Sequence, residues 1–88
     1  MWTDALFPVY VLAKDCGEID SYTSIENMQS YLEAIDVENN EYEAWDAEGR
    51  LLELTVSSRK PDWLQITRTD SVLSPKKFAE IKAKVISS

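Results

Sequence analysis

The sequence predicts an α+β fold in which two helices pack on an antiparallel sheet of about five strands, in the order ββαβββα. Short β-branched and aromatic runs indicate strands, turn residues at hairpin spacing separate these runs, and two other stretches carry apolar residues every three or four positions. The chain has 88 residues, which is the size of one domain. We therefore expect residues 1–88 to form a single α+β domain.

The first two strands are expected to form a hairpin near the N-terminus. Residues 7–13 are apolar on both faces, which is typical of an interior strand, with Pro8 near its start. Asp15-Cys16-Gly17 is a turn signal, and residues 18–22 then alternate polar and apolar as a short returning strand does.

A helix is predicted after this hairpin. Thr23 to Glu26 match a capping box, in which the Thr23 hydroxyl accepts a hydrogen bond from the first turn and Glu26 reaches back. The apolar residues that follow have spacings of three, four and three, which predicts one buried stripe on one helix. The stripe consists of Ile25, Met28, Leu32 and Ile35. Residues 36–40 break the pattern and end the helix.

A second hairpin and a fifth strand follow. Residues 41–46 and 50–57 are the expected strands, joined by a type I turn from Asp46 to Gly49 that ends with glycine in the left-handed region. Residues 59–62 are predicted as a loop, and residues 63–67 alternate again as a strand.

The last element is predicted to be a helix that starts at Ser74 and Pro75. Serine is a favoured N-cap, and proline suits the first helical position because its missing N–H has no helical partner there. Phe78, Ile81 and Val85 form the expected buried stripe.

Charge is unevenly distributed along the chain. Residues 1–48 contain twelve acids and one base, whereas residues 49–88 contain four acids and eight bases, within a total of −7. Between Lys14 and Arg50 there are eleven carboxylates and no lysine or arginine. A concentrated field of one sign selects and steers partners of opposite charge. We therefore expect an acidic surface that docks a basic partner protein.

The predicted contact residues lie where the first helix ends and the next strand begins. Carboxylates are unfavourable at a helix C-terminus, so a role outside the helix explains them better. The acids are Glu33, Asp36, Glu38, Glu41 and Glu43, and the aromatic anchors are Tyr31, Tyr42 and Trp45. Two alternatives stay open: the acids are ordinary solvated surface, neutralised in part by the terminal lysines, and Trp45 packs in the core.

Several function classes are not expected. The chain contains no histidine, so we expect no enzyme and no zinc or redox-metal site, and residues 36–47 lack the glycine and glutamate of a calcium loop. No cofactor motif is present. A sequence pI near 4.4 opposes nucleic-acid binding. The longest apolar run has nine residues, too few for a membrane span, and the single Cys16 fits a reducing compartment, so we expect a cytoplasmic protein.

The second hairpin, preceded by a capped acidic helix, resembles small uncharacterised bacterial proteins of toxin-immunity loci. The resemblance extends over residues 7–57 and contains no diagnostic motif, so no functional residue is transferred by it. It implies a non-catalytic inhibitor that covers a toxin's basic active site with carboxylates. Two other functions stay open: a self-associating accessory subunit that pairs acidic and basic faces of two copies, and a mimic of nucleic-acid charge.

Overall fold

The computed structural model describes residues 5–56 and 64–85 with their side chains, and residues 2–3 by their backbone. The strands and helices, in chain order, are β1 (Trp2–Thr3), β2 (Val9–Ala13), β3 (Glu18–Tyr22), α1 (Ile25–Tyr31), α2 (Ala34–Glu38), β4 (Tyr42–Trp45), β5 (Arg50–Val56), β6 (Leu64–Val72) and α3 (Pro75–Ala83). The sheet order is β1-β6-β5-β4-β2-β3. Strands β2 to β6 pair antiparallel, and the two-residue β1 pairs parallel to β6. The predicted α+β class is confirmed, with one additional helix and the short edge strand β1.

The sheet has a core on each face, because successive side chains of a strand point to opposite sides. On one face, α1 and α2 cover a large core that includes Val9, Met28 and Ile66. On the other face, α3 covers a smaller core around Ile19, Trp45 and Ile81. Tyr42 and Ala44 of β4 therefore face α1 and α2, whereas Glu43 and Trp45 face the side of α3.

The turn between β4 and β5 was predicted correctly. The N–H of Gly49 donates to the carbonyl of Asp46 over 3.0 Å, and Gly49 has a φ of 80°, in the left-handed region that favours glycine. The buried Asp46 side chain closes the turn, since its Oδ1 accepts from the N–H of Glu48 at 2.8 Å and from that of Arg50 at 3.1 Å.

The predicted start of the first helix was wrong by one residue. Ser24, not Thr23, is the N-cap, and its Oγ accepts from the N–H of Asn27 over 3.1 Å. Glu26 therefore lies in the first turn, where its negative charge favours the helix through the macrodipole.

The expected single helix is also wrong, because the chain forms two. Leu32 and Glu33 have extended backbone angles, with ψ of 139° and 136°, which separate α1 from α2. The break rotates the second helix, so Ile35 is 61% exposed and does not join the stripe of Met28 and Leu32. Val37, 6% exposed, fills the core instead.

The fifth predicted strand extends farther than expected, from Leu64 to Val72. The apolar alternation stops at Ile66, but the polar residues that follow still pair with β5. The pairing is irregular between Arg50 and Leu52, and side-chain hydrogen bonds support it there. Thr69 Oγ1 donates to the carbonyl of Leu51 at 2.8 Å, and Arg50 Nη1 donates to the carbonyl of Thr69 at 2.9 Å. The predictions for residues 57, 59–62 and 63 lie outside the described residues.

The start of the terminal helix is confirmed. Ser74 is the N-cap, with Oγ accepting from the N–H of Lys77 at 3.3 Å, and Pro75 opens α3. Phe78 and Ile81 are buried as predicted. Val85 lies beyond the end of the helix, where it forms a parallel bridge with Ile19 at the β3 edge of the sheet.

Candidate interaction surface

Most of the predicted acidic residues meet at one end of the sheet. The turn after β2, the helix α2 with its N-cap Glu33, and the start of β4 are joined there. The N–H of Lys14 donates to the carbonyl of Glu41 at 2.9 Å, and the N–H of Glu41 donates to the carbonyl of Asp36 at 3.0 Å. We call the carboxylates carried by these segments the acidic end. They are Asp15, Glu33, Asp36, Glu38, Glu41 and Glu43.

Asp36 is the centre of the acidic end. Tyr42 Oη donates to Asp36 Oδ2 over 3.3 Å. Burial, followed by the negative charge of Asp36, raises the pKa of Tyr42, so its hydroxyl remains a donor at neutral pH. Asp36 also shares a hydrogen bond with the side chain of Glu41. This contact is the main cause that raises the pKa of Glu41, and partial burial and the charges of Asp36 and Asp15 add to it.

Little of this negative charge is paired with cations among the described residues. Across residues 5–56 and 64–85 there is one ion pair, between Lys14 Nζ and Glu43 Oε1, at 4.0 Å. Both side chains are more than a third exposed, and a pair of this kind contributes about 0–1 kcal/mol to stability. Lys14 Nζ also donates to the carbonyl of Asn40 at 3.1 Å. None of the other acids of the acidic end forms an ion pair with the described residues.

A cleft of about 440 Å³ opens beside the acidic end, between β4 and β5. The two strands pair only at Ala44 with Leu52 and at Trp45 with Leu51, so they separate toward Tyr42. Polar residues line the mouth of this β4–β5 cleft, namely Lys14, Glu38, Asn40, Glu43, Glu53 and Thr69. Its apolar walls are formed by Val37, Tyr42, Leu51, Leu52 and Leu54.

The predicted aromatic anchors separate into different environments. Tyr31 is 71% exposed at the end of α1, with its ring 6.1 Å from that of Tyr22. Tyr42 is half-buried beside Asp36. Trp45 is only 6% exposed, in the core beneath α3, and is not brought together with the acids. Trp45 is therefore a core residue, as the alternative interpretation of the sequence predicted.

Sequence reasoning missed one exposed apolar residue. Ile35 lies on α2 between Glu33 and Asp36, and 61% of it is exposed. Tyr31 and Ile35 are thus two exposed apolar side chains that flank Glu33 in the sequence. No glycine or proline marks the break before α2, so the sequence carries no signal that Ile35 leaves the core.

The described part of the chain contains no group of three or more histidine, cysteine or acidic side chains placed to hold a metal ion. Cys16 is an exposed free thiol in the turn after β2. Of the helices described, none has the length and apolar character needed to cross a bilayer.

Comparisons with protein-family models, with curated proteins and with solved structures gave no match to this chain.

Proposed function

We propose that this protein is a non-catalytic binding protein that docks a basic partner protein through the acidic end. The observation that carries the proposal is the meeting of carboxylates from three segments of the chain, with a single long ion pair among the described residues. Like charges at this end of the sheet repel each other, and the charges of Asp36 and Asp15 add to the hydrogen bond and partial burial that raise the pKa of Glu41. A positively charged partner would relieve that repulsion.

The proposed contact also includes exposed apolar surface. Tyr31 and Ile35 are exposed and flank Glu33 in the sequence, and interfaces usually combine apolar anchors with a charged rim. The acids would mainly accelerate association by steering, while the apolar side chains would slow dissociation. Such a surface suits an inhibitor that covers a basic active site, the role implied by the resemblance to immunity-locus proteins, in a cytoplasmic setting.

Affinity capture with matched charge reversals tests the proposal. Tagged wild type, Glu38→Lys/Glu41→Lys and the control Glu48→Lys/Asp70→Lys are incubated with native lysate. Both control positions are exposed and lie at the opposite end of the sheet, and both variants change the net charge equally. We expect partners to bind wild type and control but not the first variant. Binding should weaken from roughly 0.1 M to 1 M salt, as the Debye length falls from about 10 to 3 Å.

The proposal is wrong if the Glu38→Lys/Glu41→Lys variant captures the same partners as wild type with the same salt dependence. Equal loss in the control variant would also contradict it, because net charge alone would then explain capture.

Self-association is the second candidate, and the charge of α3 favours it. Lys76, Lys77 and Lys84 are exposed, and none of them forms an ion pair with the described residues. The lysines of one copy would then meet the acidic end of another, in a head-to-tail contact that closes into a ring or continues as a chain. Sedimentation at low and high salt separates the candidates: salt-labile oligomers favour self-association, and a monomer at every concentration excludes it.

A further inference from the structure

We propose that the β4–β5 cleft receives an arginine side chain of the basic partner. The inference rests on the proposed function and adds to it a defined subsite and a ligand chemistry. The cleft, about 440 Å³, falls within the range of about 300–1,000 Å³ that is usual for ligand pockets. It opens where the pairing of β4 and β5 stops after Ala44 and Leu52.

The walls of the cleft suit a long side chain with an apolar stem. Val37 of α2 and Leu52 and Leu54 of β5 form its apolar part. Arginine and lysine bury their methylene groups against such surfaces and keep the charged group near water. The cleft is open enough at its mouth for the charged group to reach polar side chains.

The mouth of the cleft has an excess of negative charge. Glu38, Glu43 and Glu53 come from α2, β4 and β5, and Lys14 is the one cation among the described lining residues. Lys14 is already held by Glu43 and by the carbonyl of Asn40. Neither Glu38 nor Glu53 forms an ion pair within residues 5–56 and 64–85. A cation in the cleft would therefore find two free carboxylates.

The position of these carboxylates on three different elements favours a guanidinium group over an ammonium group. No group of three or more histidine, cysteine or acidic side chains in the described residues is placed to hold a metal ion. A guanidinium carries five N–H donors in a planar fork, so it can bond several carboxylates at once, whereas an ammonium acts as a compact charge.

The test uses N-acetyl-L-arginine methylamide as the probe, followed by amide NMR shifts of the ¹⁵N-labelled protein. The matched probes are the corresponding citrulline amide, which has nearly the same shape without charge, and the lysine amide. We expect saturable shifts at Tyr42, Glu43 and Leu54, with a dissociation constant on the order of 1–10 mM for a ligand of this size. Citrulline amide should bind at least about tenfold more weakly.

Two variants show whether the cleft acids carry this binding. Glu38→Gln/Glu53→Gln should weaken the arginine probe by about tenfold or more, and Glu48→Gln/Asp70→Asn should leave it unchanged. The amide spectrum itself reports that each variant is folded. The inference is overturned if shifts do not saturate, if they lie outside the cleft, or if citrulline or lysine amide binds equally well.

The two proposals fail in distinguishable ways. If the arginine probe does not bind the cleft while capture of the partner still depends on Glu38 and Glu41, the docking function stands and the arginine subsite is wrong. If capture is insensitive to the Glu38→Lys/Glu41→Lys reversal, the docking function is wrong whatever the probe does.

Discussion

Tyr42 and Asp36 join the start of β4 to α2 through a hydrogen bond of 3.3 Å between Oη and Oδ2. The contact places an aromatic ring of the large core directly beside the acidic end. It also supplies one donor to a carboxylate that has a second acid, Glu41, as its neighbour. This hydrogen bond therefore connects a side chain of the large core to a carboxylate of the acidic end.

Tyr42→Phe should remove this hydrogen bond and keep the ring. We expect a loss of about 0.5–1.5 kcal/mol in the free energy of unfolding, measured by urea denaturation. Tyr31→Phe is the control, since the Tyr31 side chain is exposed and its hydroxyl makes no hydrogen bond within the described residues. Equal effects of the two substitutions would show that the Asp36 contact does not stabilise the fold.

Glu41 gives a prediction for the pH dependence of stability. Its folded-state pKa is raised above the ordinary 4.5 by the contact with Asp36, so the folded chain holds this proton more tightly than the unfolded chain. That contribution to stability is present below pH 4.5 and is lost as the pH rises through the folded-state value. Glu41→Gln, which cannot ionise, should therefore gain stability relative to wild type as the pH rises.

The measurement is the urea midpoint of Glu41→Gln minus that of wild type, between about pH 4 and pH 7. We expect this difference to become more positive with pH. Glu48→Gln, which removes an exposed carboxylate at the opposite end of the sheet, should show a smaller change. A flat difference for Glu41→Gln would contradict the coupling to Asp36.

The two glycines offer a matched pair of substitutions. Gly17 and Gly49 both have positive φ, 74° and 80°. A Cβ at Gly17 meets nothing within 4 Å, whereas at Gly49 it lies 3.1 Å from ring atoms of Phe78. Gly17→Ala should cost about 1–2 kcal/mol in backbone strain alone, and Gly49→Ala about 1–3 kcal/mol more from overpacking.

Thermal or urea unfolding of both variants measures that difference. In a Phe78→Ala background, Gly49→Ala should cost less stability than in the wild-type background, because alanine lacks the Cγ and Cδ2 atoms that the new Cβ would meet at 3.1 Å. Equal destabilisation by the two alanine substitutions would mean that α3 does not pack on the β4–β5 turn as described.

Val37 and Ile35 test the break between α1 and α2. Val37→Ala should cost about 1.5–3 kcal/mol, because Val37 is 6% exposed in the large core. Ile35→Ala should change stability by less than about 0.5 kcal/mol, because Ile35 is 61% exposed. A single continuous helix, with Ile35 in its buried stripe, predicts the opposite order.

The same two residues show how far the sequence determined the fold. Strand alternation, the Asp46–Gly49 turn and the Ser74-Pro75 cap are local signals, and the structure confirms them. The break at Leu32 and Glu33 has no local signal, since neither residue disfavours a helix strongly. The break brings Val37 into the core. The stability that this burial provides depends on contacts with strands that are distant in the sequence.

The candidate site was also only partly predictable from the sequence. The excess of acids in the first half of the chain is visible in the sequence, and their meeting at one end of the sheet follows from the hairpin and helix order. The β4–β5 cleft and the exposure of Ile35 were not predictable, because both depend on where strand pairing and helical structure stop. The amino-acid composition does not indicate where the pairing of two strands or a helix ends.

Ile35 also allows the docking proposal to be separated from effects on stability. Because Ile35→Ala should leave the fold intact, a loss of partner capture by this variant would identify a direct contact. We expect Ile35→Ala and Tyr31→Ala to raise the dissociation rate, and Glu38→Gln to lower mainly the association rate at low salt, measured by surface plasmon resonance with the captured partner. Apolar contacts act after the complex has formed, whereas charges act on the approach. If the Ile35 and Tyr31 variants match wild type in both rates, the partner contacts the acids without the neighbouring apolar surface.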